Sequence, residues 1–124
     1  MSNRYRADEL VLFYQTKMAV RGGTMTGAEA LIRWRHPQRA LVLPGTFIPL
    51  AEDTGLIVPL GKLVLERACA QLGVWLTANP TASWQMSVNL SARQLLAPDL
   101  VTTVRMATEA AELEPSSLIL ELTE

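Results

Sequence analysis

Apolar residues recur along this chain at two periods, and the change of period marks out its elements. Leu10–Val20 (LVLFYQTKMAV) is rich in β-branched and aromatic residues and predicts a strand. Gly22-Gly23 within Arg21–Thr24 is a two-residue turn signal, and Met25–Arg35 (MTGAEALIRWR) predicts a second strand directly after it. Strands joined so closely must form an antiparallel hairpin, because a parallel return needs a crossover of about a dozen residues. His36-Pro37 breaks the second strand. Pro44–Leu56 predicts a short helix that begins near Thr46 and stops at Gly55. From Ile57 to about Thr77 the apolar positions Ile57, Leu60, Val64, Ala68, Leu72 and Trp75 form a helical stripe, which Asn79-Pro80 ends. Trp84–Leu90 predicts a short strand, Pro98 to about Glu112 an amphipathic helix, and Leu118–Thr123 (LILELT) a buried strand. Strands separated by long helical segments imply βαβ crossovers, so the chain is expected to be α/β with a parallel sheet behind the hairpin.

Period-two alternation then exposes polar residues where packing prefers apolar ones. In the second strand Glu29, Leu31 and Arg33 share one face, while Ala28, Ala30, Ile32 and Trp34 form a wholly apolar face that has to be buried. With helices on one side and a core on the other, both faces of such a strand are buried, and Glu29 lies inside or at the rim of something closed. A buried carboxylate there needs a metal or another cation. Glu121 interrupts the last strand in the same way, and Asn89 stands near the C-terminal end of the middle one, with Gln85 and Ser87 on its face. Active sites of parallel α/β architectures form at that end. Two carboxylates and an amide carbonyl suit Mg²⁺, Mn²⁺ or Ca²⁺. Spacing alone also allows a plain Glu29–Arg33 ion pair along the strand, with Glu121 capping an edge.

Composition narrows the classes without naming a function. The 124 residues are 49% hydrophobic, too apolar for disorder, and eleven basic against twelve acidic residues leave a net charge of −1. That balance gives no footprint for DNA, RNA or an anionic membrane. The N-terminus has no apolar signal segment, and no run approaches the ~18–20 residues that span a bilayer, so a cytoplasmic location is expected. The single cysteine, Cys69, sits among inward-facing helical neighbours and reads as a core residue. His36, the one histidine, reads as a loop residue, and Trp34, Trp75 and Trp84 as core rather than a base-stacking platform.

The literal strings add a family. Gly27-Ala28-Glu29-Ala30-Leu31-Ile32-Arg33-Trp34-Arg35-His36-Pro37 resembles the signature of EAL domains, bacterial phosphodiesterases that hydrolyse cyclic di-GMP. In the family's order, Phe13-Tyr14-Gln15 resembles its opening YQPK strand, and Phe47–Leu56 (FIPLAEDTGL) resembles its FIPLAE-x-TGLI helix. Ser87-Val88-Asn89-Leu90-Ser91 resembles its VNLS strand, and Leu120–Glu124 (LELTE) its LE-hydrophobic-TE segment. The match runs from about Leu10 to Glu124, leaving residues 1–9 as a tail ahead of an N-terminal half-domain.

The resemblance implies a partial (β/α)8 TIM-like barrel, roughly its first half, with an antiparallel first strand. It implies that Glu29, the catalytic carboxylate, binds Mg²⁺ or Mn²⁺ together with Asn89 and Glu121. Arg33 would hold a phosphate of cyclic di-GMP, Gln15 and Leu31 would line the substrate site, and Glu124 would steady a later loop. Bottom-up, the planar guanidinium fork of Arg33 suits a phosphate. Thr16 replaces the family's proline, and Asp53 stands where glutamate is common. The family's DD-F-G-T-G aspartates, its K-I-D lysine and its later glutamate and glutamine have no counterpart in this sequence. The chain alone is therefore expected to be inactive, and open half-barrel edges together with a mean hydropathy of +0.19 predict self-association. Three readings follow: the first half of a cyclic di-GMP phosphodiesterase, a degenerate module that binds nucleotide or a protein partner, or a fragment with no separate function.

Overall fold

A computed structural model of the chain describes residues 9–35, 41–42 and 44–123. His36 and Glu124 lie outside the described residues, as does nearly all of the tail. Strand β1 (Leu10–Met18) and strand β2 (Met25–Arg35) form the expected antiparallel hairpin, in register from Leu10 against Trp34 to Lys17 against Gly27, with a bulge before Met18. Gly22 and Gly23 take φ of 83° and 63°, left-handed values that glycine reaches without a Cβ clash, and Ala19 N–H donates to the Thr24 carbonyl at 2.8 Å to close the loop. A two-residue strand β3 (Leu41–Val42) pairs with the end of β2. Strand β4 (Gln85–Ser91) runs parallel to β2, and β5 (Leu118–Thr123) runs parallel to β4, giving the order β1-β2-β4-β5 with β3 beside β2.

Each pairing sets odd positions against odd: Gln15 against Glu29, Glu29 against Ser87, Asn89 against Glu121. One face of the sheet therefore collects the even positions and the other the odd. The even face is packed by α2 (Ile57–Ala78) and by α4 (Leu100–Ala110). Ala28, Ala30, Met86 and Val88 from the strands meet Leu65, Ala68, Cys69 and Leu72 from α2 and Ala107 from α4, all 4% exposed or less. Trp75 closes edge-on against Tyr14 with ring centroids 5.1 Å apart. A second cluster of Leu10, Trp34, Ala51, Ile57 and Leu60 ties α1 (Pro44–Thr54) to the far end of the hairpin. Cys69 is buried, as its helical neighbours predict. Trp34 belongs to the second cluster, and Trp75 and Trp84, partly buried, pack against the first. Among the described residues no helix is long and apolar enough to cross a membrane.

The differences from expectation have local causes. Helix α1 starts at Pro44 rather than near Thr46, because proline suits the first helical turn, and it ends before Gly55 at φ 80°. Helix α4 covers Leu100–Ala110 only, and Glu112 turns the chain away with φ 56°. A four-residue helix α3 (Ala92–Leu95) follows β4, held by a capping box in which Ser91 and Gln94 satisfy each other's backbone N–H groups. Strand β5 forms where expected but is not buried: Leu120 and Leu122 are 38% and 60% exposed. It is the edge of the sheet among the described residues, and the core clusters reach it only at Leu118. The odd face of β2 is likewise half-buried rather than enclosed.

Close approach fixes one glycine. A Cβ on Gly27 would lie 1.9 Å from the Gln85 carbonyl oxygen, where β2 and β4 begin their three-residue pairing. Gly27→Ala is expected to cost about 2–3 kcal/mol by forcing these backbones apart, read as a lower denaturant midpoint; an unchanged midpoint would refute the close contact. Burial pushes the Cys69 thiol up to about 11 from 9.0, and it also raises Tyr14, against a smaller opposing pull from the Arg67 guanidinium. Both groups stay protonated in the folded chain after the unfolded chain has begun to release its protons. Stability should therefore hold below pH 9 and decline as pH rises toward about 11, which melting temperatures across that range would check.

Candidate functional site

The odd face of the sheet carries the polar residues that the sequence singles out. Glu29 stands at the centre of β2, half-buried, with Gln15 of β1 as its register partner on one side and Ser87 of β4 on the other. Asn89 lies two residues further along β4, and its Nδ2 donates to Glu29 Oε2 at 2.9 Å. Glu121 of β5 is the register partner of Asn89. Three adjacent parallel strands thus present Glu29, Asn89 and Glu121 on one face.

The residues assigned to substrate lie nearby. Leu31 faces Phe13 across the hairpin, and the Arg33 guanidinium lies over the Phe13 ring, 5.9 Å from its centre, while its Nη1 donates to the Ile32 carbonyl at 2.8 Å. Among the described residues Arg33 makes no ion pair with Glu29, so the plain strand pair that spacing allowed does not form. Gln15 is exposed beside Glu29. At the C-terminal ends of β2 and β4 a mostly apolar cavity of about 390 Å³ opens between the sheet, α1 and α2. Leu31, Arg33 and Asn89 line it from the sheet, and Pro49 and Glu52 line it from α1. Its size lies within the ~300–1,000 Å³ of small-molecule sites.

Two contacts hold the walls of this cavity. Arg93 Nη1 of α3 donates to the Glu52 carbonyl near the end of α1, tethering that helix to the segment that follows β4. Gln94 is buried against Gly61 of α2, where a Cβ would stand 1.7 Å from its Nε2, so α2 and the α3 capping box interlock.

The structure also places one residue that the sequence reading passed over. Lys17 Nζ donates to Ser87 Oγ at 2.8 Å and pairs with Glu121 Oε2 at 3.4 Å. Parity was the signal that could have found it, since the position is odd and lies on a strand already assigned.

The donor chemistry can be weighed against a divalent cation. Glu29 and Glu121 offer hard carboxylate oxygens and Asn89 an amide oxygen, the ligand types Mg²⁺ and Mn²⁺ take. Among the described residues no group of three or more His, Cys, Asp or Glu side chains could hold a metal, so the Glu29–Asn89–Glu121 row itself supplies two carboxylates and one amide. They suit one side of a metal centre and leave the remaining positions to other ligands.

A partial parallel sheet with a reversed first strand, helices on its even face and hard-oxygen side chains on its odd face describes one segment of a TIM-like barrel. The model of the EAL domain matches residues 1–124, and the chain belongs to that family. It is 53% identical over 116 residues to the bifunctional diguanylate cyclase/cyclic di-GMP phosphodiesterase MucR of Pseudomonas aeruginosa, covering 94% of this chain and 17% of that protein. A solved structure of the MucR phosphodiesterase in complex with cyclic di-GMP superimposes with a TM-score of 0.89 at 52% identity, covering 94% of this chain and 47% of that one. The EAL enzyme Bd1971, in a form with cAMP and cyclic di-GMP bound, follows at TM-score 0.83 and 32% identity, with 33% of that chain covered. This chain therefore spans less than half the length of the solved structures it matches here.

Proposed function

We propose that this chain supplies the N-terminal part of a phosphodiesterase site that opens cyclic di-GMP to linear pGpG. The observation that carries the reading is the row of Glu29, Asn89 and Glu121 on three neighbouring strands, joined by the 2.9 Å contact between Asn89 and Glu29. These three residues would hold Mg²⁺ or Mn²⁺, which when bound supplies water activation and charge neutralisation for phosphodiester cleavage. Attack by water on one phosphorus breaks its bond to the 3′ oxygen and leaves a 5′ phosphate on the linear product. Arg33, already anchored over Phe13 at the cavity mouth, offers a guanidinium fork to a substrate phosphate. Leu31 lines the same cavity and Gln15 flanks Glu29, so both can shape the path of the dinucleotide. Glu124 retains its proposed role in steadying a loop, on the family resemblance alone.

A second reading, a module that binds nucleotide without cleaving it, is favoured by the donor count: two carboxylates and an amide are a sparse set for a catalytic metal centre. The test is pGpG formation with Mg²⁺ or Mn²⁺, by the chain alone and with the C-terminal part of a related EAL domain added in trans. The chain alone should form no product. The mixture should form it, and Glu29→Ala in this chain should reduce the rate at least ~100-fold, the scale on which electrostatic and metal-site groups act. Product formation indifferent to Glu29→Ala would overturn the enzymatic reading, and metal-dependent nucleotide binding without turnover in the mixture would establish the module.

Self-association belongs to the same proposal. Strand β5 leaves Leu120 and Leu122 exposed on its even face, and its outer edge is unpaired among the described residues. Sedimentation at micromolar concentration should show species heavier than the 13.6 kDa monomer; a single monomeric boundary would refute it.

A further inference from the structure

Lys17 comes from β1, which contributes no ligand to the proposed metal centre, yet its ammonium reaches two strands beyond its neighbour. Its register partner on β2 is Gly27, which in turn faces Gln85 of β4. With no side chain on Gly27, nothing on β2 stands between Lys17 and β4, and the ammonium crosses to Ser87 Oγ at 2.8 Å and to Glu121 Oε2 at 3.4 Å. Ser87, 1% exposed and in register with Glu29, is a fixed anchor that holds the ammonium against Glu121. The ammonium occupies one oxygen of the carboxylate that a cation approaching the Glu29–Asn89–Glu121 row would need.

We propose that Lys17 is an internal counter-ion that competes with the divalent cation for Glu121 and so sets how tightly the site binds it. The inference rests on the metal-site reading above. With Lys17 in place, the two carboxylates and one ammonium carry a net charge of −1; without it they carry −2, matched to a divalent cation. The side chains of Lys17 and Glu121 are 38% and 42% exposed, so water and salt screen the interaction and the effect is a matter of several-fold.

The test is Mn²⁺ binding by the full chain, followed through the free-ion electron paramagnetic resonance signal. Lys17→Met should lower the Kd roughly three- to tenfold at low salt, with the gain shrinking as salt is raised. Lys17→Arg, which keeps the charge, should stay near the parent value. Adding Glu121→Gln to both the parent and the Lys17→Met variant should erase the difference between them. If Lys17→Met does not fold, Lys17→Gln gives the same reading. Binding that depends on Glu29 but is unchanged or weakened in Lys17→Met would overturn the counter-ion role alone. Binding indifferent to Glu29→Gln, or absent from parent and Lys17 variants alike, would overturn the metal-site reading and this inference with it.

Discussion

The register that sets odd residues against odd across the sheet is the constraint from which the rest follows. A strand's side chains alternate with period two, so a slip of one residue in any pairing would send Ala28, Met86 and their neighbours to the open face and the carboxylates into the helices. The cost of burying Glu29 or Glu121 against Leu65 and Leu72 makes such a slip prohibitive. The apolar packing of α2 and α4 on the even face thus does two things at once. It forms the larger of the two core clusters, and it aligns three oxygen-bearing side chains that are distant in sequence. The chemistry of the open face is a by-product of hydrophobic packing on the other.

That dependence explains which parts of the molecule could be read from the sequence. The bounds of β2 are legible because a Gly-Gly turn precedes it and His-Pro follows it. Helix α2 is legible because its stripe runs unbroken from Ile57 to Trp75. Local signals of this kind place Glu29, Asn89 and Glu121 on strands and assign each to a face. Long-range register is a different matter: that Asn89 donates to Glu29, and that Arg33 turns to Phe13 instead of Glu29, depends on which strands neighbour one another. The short α3 helix was written in the Ser91-x-x-Gln94 spacing, a capping signature overlooked beside the stronger strand signal. The exposure of Leu120 and Leu122 was not legible, because an apolar run gives the same signal whether or not a neighbouring element covers it.

The walls of the cavity show how local folding signals are converted into a site. Asn89 sits near the end of β4, where the strand hands over to the capping box of Ser91 and Gln94. Gln94 is locked by its fit against Gly61, and its neighbour Arg93 grips the end of α1. Two helices and a strand therefore meet at a single turn of backbone. The apolar lining of the cavity and the polar row beside it are held in fixed relation by that junction.

The reversed direction of β1 carries a further consequence. Because it runs against β2, the chain enters β1 at Leu10 beside Trp34, close to the C-terminal end of β2, where Arg33 and the cavity lie. In a sheet with every strand parallel, the entry would be at the opposite end, a full strand length from the chemistry. Here the covalent path into the domain arrives at the mouth of the site itself. A pull or twist delivered along the backbone ahead of Leu10 would be felt first by Trp34 and α1, before it reached the interior of the sheet.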